Sequence, residues 1–183
     1  MTRVLRGSTS RDAGYSLVEL IVVVVILGIL GSAIAIIFAN TWRTQANVTD
    51  QTQATTRGQL IASEIERAMR NAIAFEIEDA GNTLKVNTSL TDGSMQCQAF
   101  RFDSGQVRMV VSDDPAPATW PVWQDQVRKA GTTPYFAAIG ANGVTYTFDA
   151  TSESSHADST GPVHFTGDAY MRNAAEGTMS PCW

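Results

Sequence analysis

Histidine and cysteine are scarce in this chain, two of each in 183 residues. His156 and His164 stand eight apart with no cysteine or carboxylate at zinc-like spacing beside them, so both read as surface histidines. Asp113-Asp114, and Asp149 with Asp158, offer loop oxygens to Ca²⁺, but EF-hand-like spacing is missing and solvated turns are expected instead. No glycine-rich phosphate cradle occurs, and no serine sits in a GxSxG setting. These absences leave no candidate catalytic residue, metal site or cofactor. The chain is not expected to be an enzyme.

Charge is also missing from one long stretch. Leu20 to Ala39 is a run of 20 residues without a charged side chain, with polarity only at Ser32 and then Asn40. At 1.5 Å rise per residue such a run spans roughly 30 Å, the thickness of a bilayer core. Val22 to Val25 are weak helix formers in water, but in lipid a backbone must satisfy its own hydrogen bonds and becomes helical. A single-pass helix follows. Arg3, Arg6 and Arg11 against Asp12 hold the N-terminal end in the cytoplasm, which puts everything after Asn40 outside. That side is oxidising, and it carries both cysteines, Cys97 and Cys182. A disulfide between them closes a loop worth roughly 4 kcal/mol in the chain-entropy model, with two free buried thiols as the alternative. Setting aside the three arginines and Asp12 of the first 14 residues moves the formal charge from −5 to −7. An acidic outer part is a poor match for DNA, so no nucleic-acid partner is expected.

One carboxylate interrupts this pattern. Glu19 stands at the head of the apolar run, where a charge at a helix centre costs about 2.5–3.5 kcal/mol on insertion scales. It either marks the membrane edge or has a function. Three readings of the N-terminus compete. A plain signal anchor needs only the arginines and the apolar run. A secretory signal is cut after a small-x-small site such as Ala33-Ile34-Ala35, which predicts a secreted protein starting near residue 36 to 40. The third reading rests on Gly14-Tyr15-Ser16-Leu17-Val18-Glu19-Leu20, directly before the span and after a basic leader. This stretch resembles the processing site of type IV prepilins and pseudopilins, with Tyr15 where that family usually has Phe. The resemblance implies that prepilin peptidase cuts after Gly14 and that the new N-terminal residue, Tyr15, is methylated. It also implies that Glu19 meets the N-terminal ammonium of a neighbouring subunit in a filament, since a paired charge in an apolar bundle is far less unfavourable than a lone one.

Beyond the span, "LIASEIERAMRNAIAF" has helical periodicity. Ile61, Ile65, Met69 and Ile73 form a stripe flanked by Leu60, Ala68 and Ala72, with Glu64, Glu66, Arg67 and Arg70 on the other face. One helix from Tyr15 to about Phe75 is expected. Thereafter "TLKVNTSL" alternates, "QAFRFDSGQVRMVVS" reads as a hairpin turning at Asp103-Ser104-Gly105, and "GVTYTFDA" and "GPVHFTGDAYMRN" supply further strands. Four to six antiparallel strands over one long helix make an α+β fold, pilin-like in the light of the leader. Trp120 and Trp123 flank Pro121 and are expected to pack under a loop rather than form an exposed patch. Asn47-Val48-Thr49 and Asn87-Thr88-Ser89 match a glycosylation pattern that has many false positives.

The expected organisation is a leader, 1–14, then a transmembrane and filament-core helix, 15–40, its amphipathic continuation, 41–75, and an extracytoplasmic β-rich domain, 76–183. Gly28 and Gly31 permit close helix packing in the span, and Ile36 stands where major pilins commonly carry a proline. "IERAMRNA", "FRFDSGQVRM" and "YMRN" resemble the PulJ/PilW group of minor pseudopilins and minor pilins. The resemblance implies a structural subunit of a type IV pilus or type II secretion-like filament. Its partners are prepilin peptidase, other pilin subunits and an inner-membrane assembly platform. A binding module at a filament tip is the rival reading.

Overall fold

The computed structural model describes residues 16–89, 95–112, 120–152, 161–172 and 182. Gly14 and Tyr15, and likewise His156, Asp158 and Asp113-Asp114, lie outside them. One helix, α1 (Leu17–Arg70), is followed by β1 (Ala72–Glu78), β2 (Thr83–Ser89), β3 (Met95–Asp103), β4 (Gln106–Ser112), β5 (Val122–Asp125), β6 (Val127–Arg128), β7 (Phe136–Ile139), β8 (Gly143–Ala150) and β9 (Val163–Tyr170). The fold is α+β and pilin-like: one long N-terminal helix, then antiparallel sheet. The chain divides into two units, Met1–Gln45 and Ala46–Trp183.

In the first unit every residue of α1 from Leu17 to Gln45 is exposed. In the second unit α1 buries Asp50, Ala54, Gly58, Ile61, Ile65, Ala68 and Met69, spaced by three or four, which is the stripe one helix face presents to a core. Two expectations change here. Leu60 is 46% exposed and not part of the stripe. Glu64 and Glu66 turn inward, because Glu64 accepts a hydrogen bond from Gln98 (2.8 Å) and Glu66 one from the Tyr146 hydroxyl (2.7 Å).

The helix also stops five residues before the expected Phe75. Asn71 N–H bonds to the Ala68 carbonyl at 3.2 Å, a tightened last turn, and "AIAFEIE" then runs as β1. Ile73 and Phe75 suit a pleated surface better than a helix, since β-branched and aromatic side chains lose rotamer freedom against a preceding helical turn.

Among the described residues there are nine strands rather than four to six, in two sheets. The first is an antiparallel meander, β1-β2-β3-β4-β5, and in the second β8 pairs with β6, β7 and β9. The extra strands are β1, read from sequence as helix, and β5, β6 and β7, of four, two and four residues, too short to show a period. The expected turn of the β3–β4 hairpin is present. Ser104 and Gly105 both have positive φ (51° and 81°) between the paired Asp103 and Gln106, the two-residue geometry whose twist suits flanking strands. The sheets are stitched by Phe136 N–H to the Gly81 carbonyl (2.9 Å) and Val127 N–H to the Gly105 carbonyl (3.1 Å).

Between helix and sheets lies an aromatic core. The Phe102 ring lies 4.6 Å from Tyr135, 5.3 Å from Phe136 and 5.6 Å from Phe148, centroid to centroid. Gln98, Phe100 and Phe102 of β3 face α1 and this core. Alternation therefore turns Cys97, Ala99 and Arg101 to the opposite face of the sheet. Cys97 and Ala99 are nonetheless fully buried, so β3 is covered on both faces.

Candidate functional site

The feature that the second unit's packing does not account for is the bare helix of the first unit. Side chains from Leu17 to Phe38 that a soluble protein would bury are all open, Leu17 at 72% and Phe38 at 65%. A contiguous apolar surface of this size marks a surface made to be covered. By length and composition this helix is also able to cross a membrane. Gly28 and Gly31 lie within it, and a Cβ added at either meets no atom within 4 Å. Nothing in the unit itself requires them, whereas small residues let a second helix approach closely. Ser32 and Thr41 donate their hydroxyls to the Ile29 and Ile37 carbonyls (2.8 and 2.9 Å), so neither brings an unsatisfied donor into an apolar setting. The Phe38 and Trp42 rings, 5.8 Å apart, stand at the end of the run beside Arg43, the amphipathic grouping found where a span meets headgroups.

Glu19 occupies the first turn of α1, where the helix dipole favours a negative charge. It is exposed, and no ion pair among the described residues involves it. The carboxylate is thus exposed at the head of the apolar run.

The second unit grips its part of α1 through polar contacts as well as core packing. Arg57 bonds to the Thr151 carbonyl (2.9 Å) and to Asp125 (3.2 Å). Burial first, and then the hydrogen bond to Glu66, pushes the Tyr146 phenol well above its ordinary 10.0, so it remains a neutral donor. At Gly58 the chain comes closest, since an added Cβ would lie 2.0 Å from Cε2 of Phe165. Gly58 was invisible to a search for apolar periodicity, although it stands three residues before Ile61 in the same stripe.

Cys97 and Cys182 are bonded, with Cα atoms 5.4 Å apart. The bond fastens the penultimate residue to the face of the first sheet that points away from α1. His164 pairs with Asp149 at 2.8 Å on exposed β-sheet, and no group of three metal-ligating side chains occurs among the described residues. Trp123 packs partly against the core near Phe100 (6.4 Å), and Trp120 lies under the Arg101 guanidinium (4.4 Å). Asn87 is fully buried in β2 and closed to a glycan. A groove of about 430 Å³ is lined by Ser104, Gln106, Asp125, Gln126, Arg128 and Thr151, a polar set without a nucleophile–base pair.

One long N-terminal helix followed by antiparallel sheet is the pilin-like architecture, and the exposed apolar part of that helix is consistent with a membrane anchor. Residues 9–35 match the prokaryotic N-terminal methylation motif, the prepilin-type N-terminus. The match supports a type IV prepilin- or pseudopilin-like protein. Neither a curated protein nor a solved structure gives a significant match. The motif implies processing by prepilin peptidase and assembly with other pilins, and points to a structural subunit rather than an enzyme.

Proposed function

We propose that this chain is a minor pilin or pseudopilin, inserted as a single-pass precursor with its N-terminus in the cytoplasm. Prepilin peptidase removes residues 1–14 after Gly14, and Tyr15 becomes the methylated N-terminus. Residues 15–40 hold the protein in the membrane and then pack the core of a type IV pilus or type II secretion-like filament. The observation that carries this reading is the methylation motif at residues 9–35 running into a helix with no cover of its own.

The electrostatics give Glu19 its role. Cleavage leaves an ammonium on Tyr15, four residues before Glu19 in the sequence. In a filament core neither charge is tolerable alone, and a carboxylate from one subunit facing the ammonium of the next satisfies both. That pairing sets the axial step between subunits. The absence of proline at Ile36 and the "IERAMRNA", "FRFDSGQVRM" and "YMRN" stretches support the minor class. The test is Glu19→Ala in the producing cell, followed by separation of sheared filaments from membranes. Membrane insertion should be unchanged and the filament fraction should fall sharply. Equal incorporation of the variant would remove Glu19 from the assembly contact.

A further inference from the structure

We infer that the free edge of β9 (Val163–Tyr170) is a docking site for an extended segment of a different polypeptide, which adds to the second sheet as a further strand. The site lies within the second unit and does not depend on the filament reading above.

The direction of the backbone groups is the first observation. β9 pairs with β8 alone. Met171 N–H donates to the Asn142 carbonyl (2.9 Å), one step beyond the Gly143–Tyr170 pair. Thr147, opposite Thr166, donates its N–H the other way, to the Tyr135 carbonyl (2.9 Å). Bonded and non-bonded pairs alternate along an antiparallel ladder. The odd-numbered residues of β9 therefore bond to β8, while His164, Thr166, Asp168 and Tyr170 aim N–H and C=O away from it. All four are exposed, and among the described residues no backbone group meets them on that side.

The edge also lacks the usual guards, which are short strands, bulges, prolines and outward lysines. The end strands of the first sheet, β1 and β5, each carry a register shift, and β6 and β7 have two and four residues. β9 keeps eight residues in unbroken register with β8 and contains no Lys, Arg or Pro. Its exposed side chains lean back over β8. His164 pairs with Asp149 (2.8 Å), Asp168 accepts from the Thr145 hydroxyl (2.8 Å), and the Thr166 and Thr147 hydroxyls are 3.2 Å apart. The Tyr170 ring lies on Gly143, where an added Cβ would stand 2.6 Å from Cε1. A row of alternating donors and acceptors is matched by another extended backbone, not by a helix or a duplex. Charge selects the segment. Asp168 has a hydroxyl beside it but no cation among the described residues, so a Lys or Arg opposite it gains a cross-strand pair. A second copy of β9 has neither residue to offer, and its histidine is held by Asp149. The partner that fits is a basic strand from a different protein.

The test uses the full-length protein in detergent and a synthetic peptide of β9's length that alternates Val with Thr and Lys. Amide hydrogen exchange is the readout. At saturating peptide the His164, Thr166 and Asp168 amides should slow about tenfold while those of α1 stay unchanged. Thr166→Pro removes an outward N–H and leaves the bonds to β8, and Thr166→Lys places a charge on the edge. Both should abolish the protection, with thermal midpoints within a few degrees of wild type, and Thr166→Val should keep it. A peptide with Glu in place of Lys should protect less. In the producing cells, a photoreactive phenylalanine in place of Tyr170 should crosslink to one segment of another protein, and Thr166→Lys should remove the crosslink. Edge amides that the peptide leaves unchanged, or protects equally in Thr166→Lys, would overturn the docking site. Protection that rises with protein concentration alone would give the edge to a second copy and overturn the choice of partner.

Discussion

Replacing Gly58 by alanine reverses the usual sign of a helix substitution. In a helix interior Gly→Ala is ordinarily stabilising by about 1 kcal/mol, because glycine has more backbone freedom to lose. At this position the new Cβ would stand 2.0, 2.2 and 2.5 Å from three ring carbons of Phe165, so the ring must move. That ring is stacked on Phe148, centroids 5.3 Å apart and planes 16° apart, and Phe148 is fully buried. Overpacking costs about 1–3 kcal/mol, and loss of a well-placed aromatic pair about 0.5–1.5 kcal/mol more. Against the helix gain, the net effect is a loss of about 0.5–3.5 kcal/mol. Urea unfolding of the detergent-solubilised protein measures it. A double-mutant cycle with Phe165→Leu gives the mechanism. With the ring gone, Gly58→Ala should become neutral or stabilising, a coupling of at least about 1 kcal/mol. If Gly58→Ala stabilises the otherwise wild-type protein, Phe165 does not lie against the helix as described.

Two further outcomes follow from the same packing. Cys182→Ser should lower unfolding free energy by about 4.5 kcal/mol, from an 85-residue separation in the chain-entropy model, a large part of the stability of a domain this size. Oxidised and reduced proteins whose denaturation midpoints coincide would remove that role. Tyr146 governs the alkaline limb. Its folded pKa is raised, so its contribution is whole below about pH 10 and is lost as pH climbs towards the folded value. Tyr146→Phe should flatten stability against pH above 10 in chemical denaturation curves, and an unchanged slope would show that burial and the Glu66 contact do not hold this phenol neutral.

The long elements were legible in the sequence because each has a strong local cause. The apolar run from Leu20 fixes a helix by length alone, the Ile61–Ile65–Met69 stripe by period, and Ser104-Gly105 the turn of its hairpin. What escaped depends on contacts distant in sequence. The end of α1 at Arg70 is decided by β1 pairing with β2, which no window around Ile73 and Phe75 contains. The inward turn of Glu64 and Glu66 depends on Gln98 and Tyr146, 34 and 80 residues away. Ala99 is buried because both faces of β3 are covered, which alternation along a single strand does not reveal. The candidate site divides in the same way. Its motif lies in consecutive residues around Glu19 and could be read directly, but the inward turn of every charge on α1 between Arg43 and Arg67 required the folded domain.

The mass and N-terminal sequence of the protein recovered from cells test the central claim most directly. The recovered chain should begin at a methylated Tyr15 and retain the whole apolar helix, with the unprocessed form accumulating when the peptidase is deleted. A mature chain that starts at Met1, or beyond the span near residue 36 to 40, contradicts it.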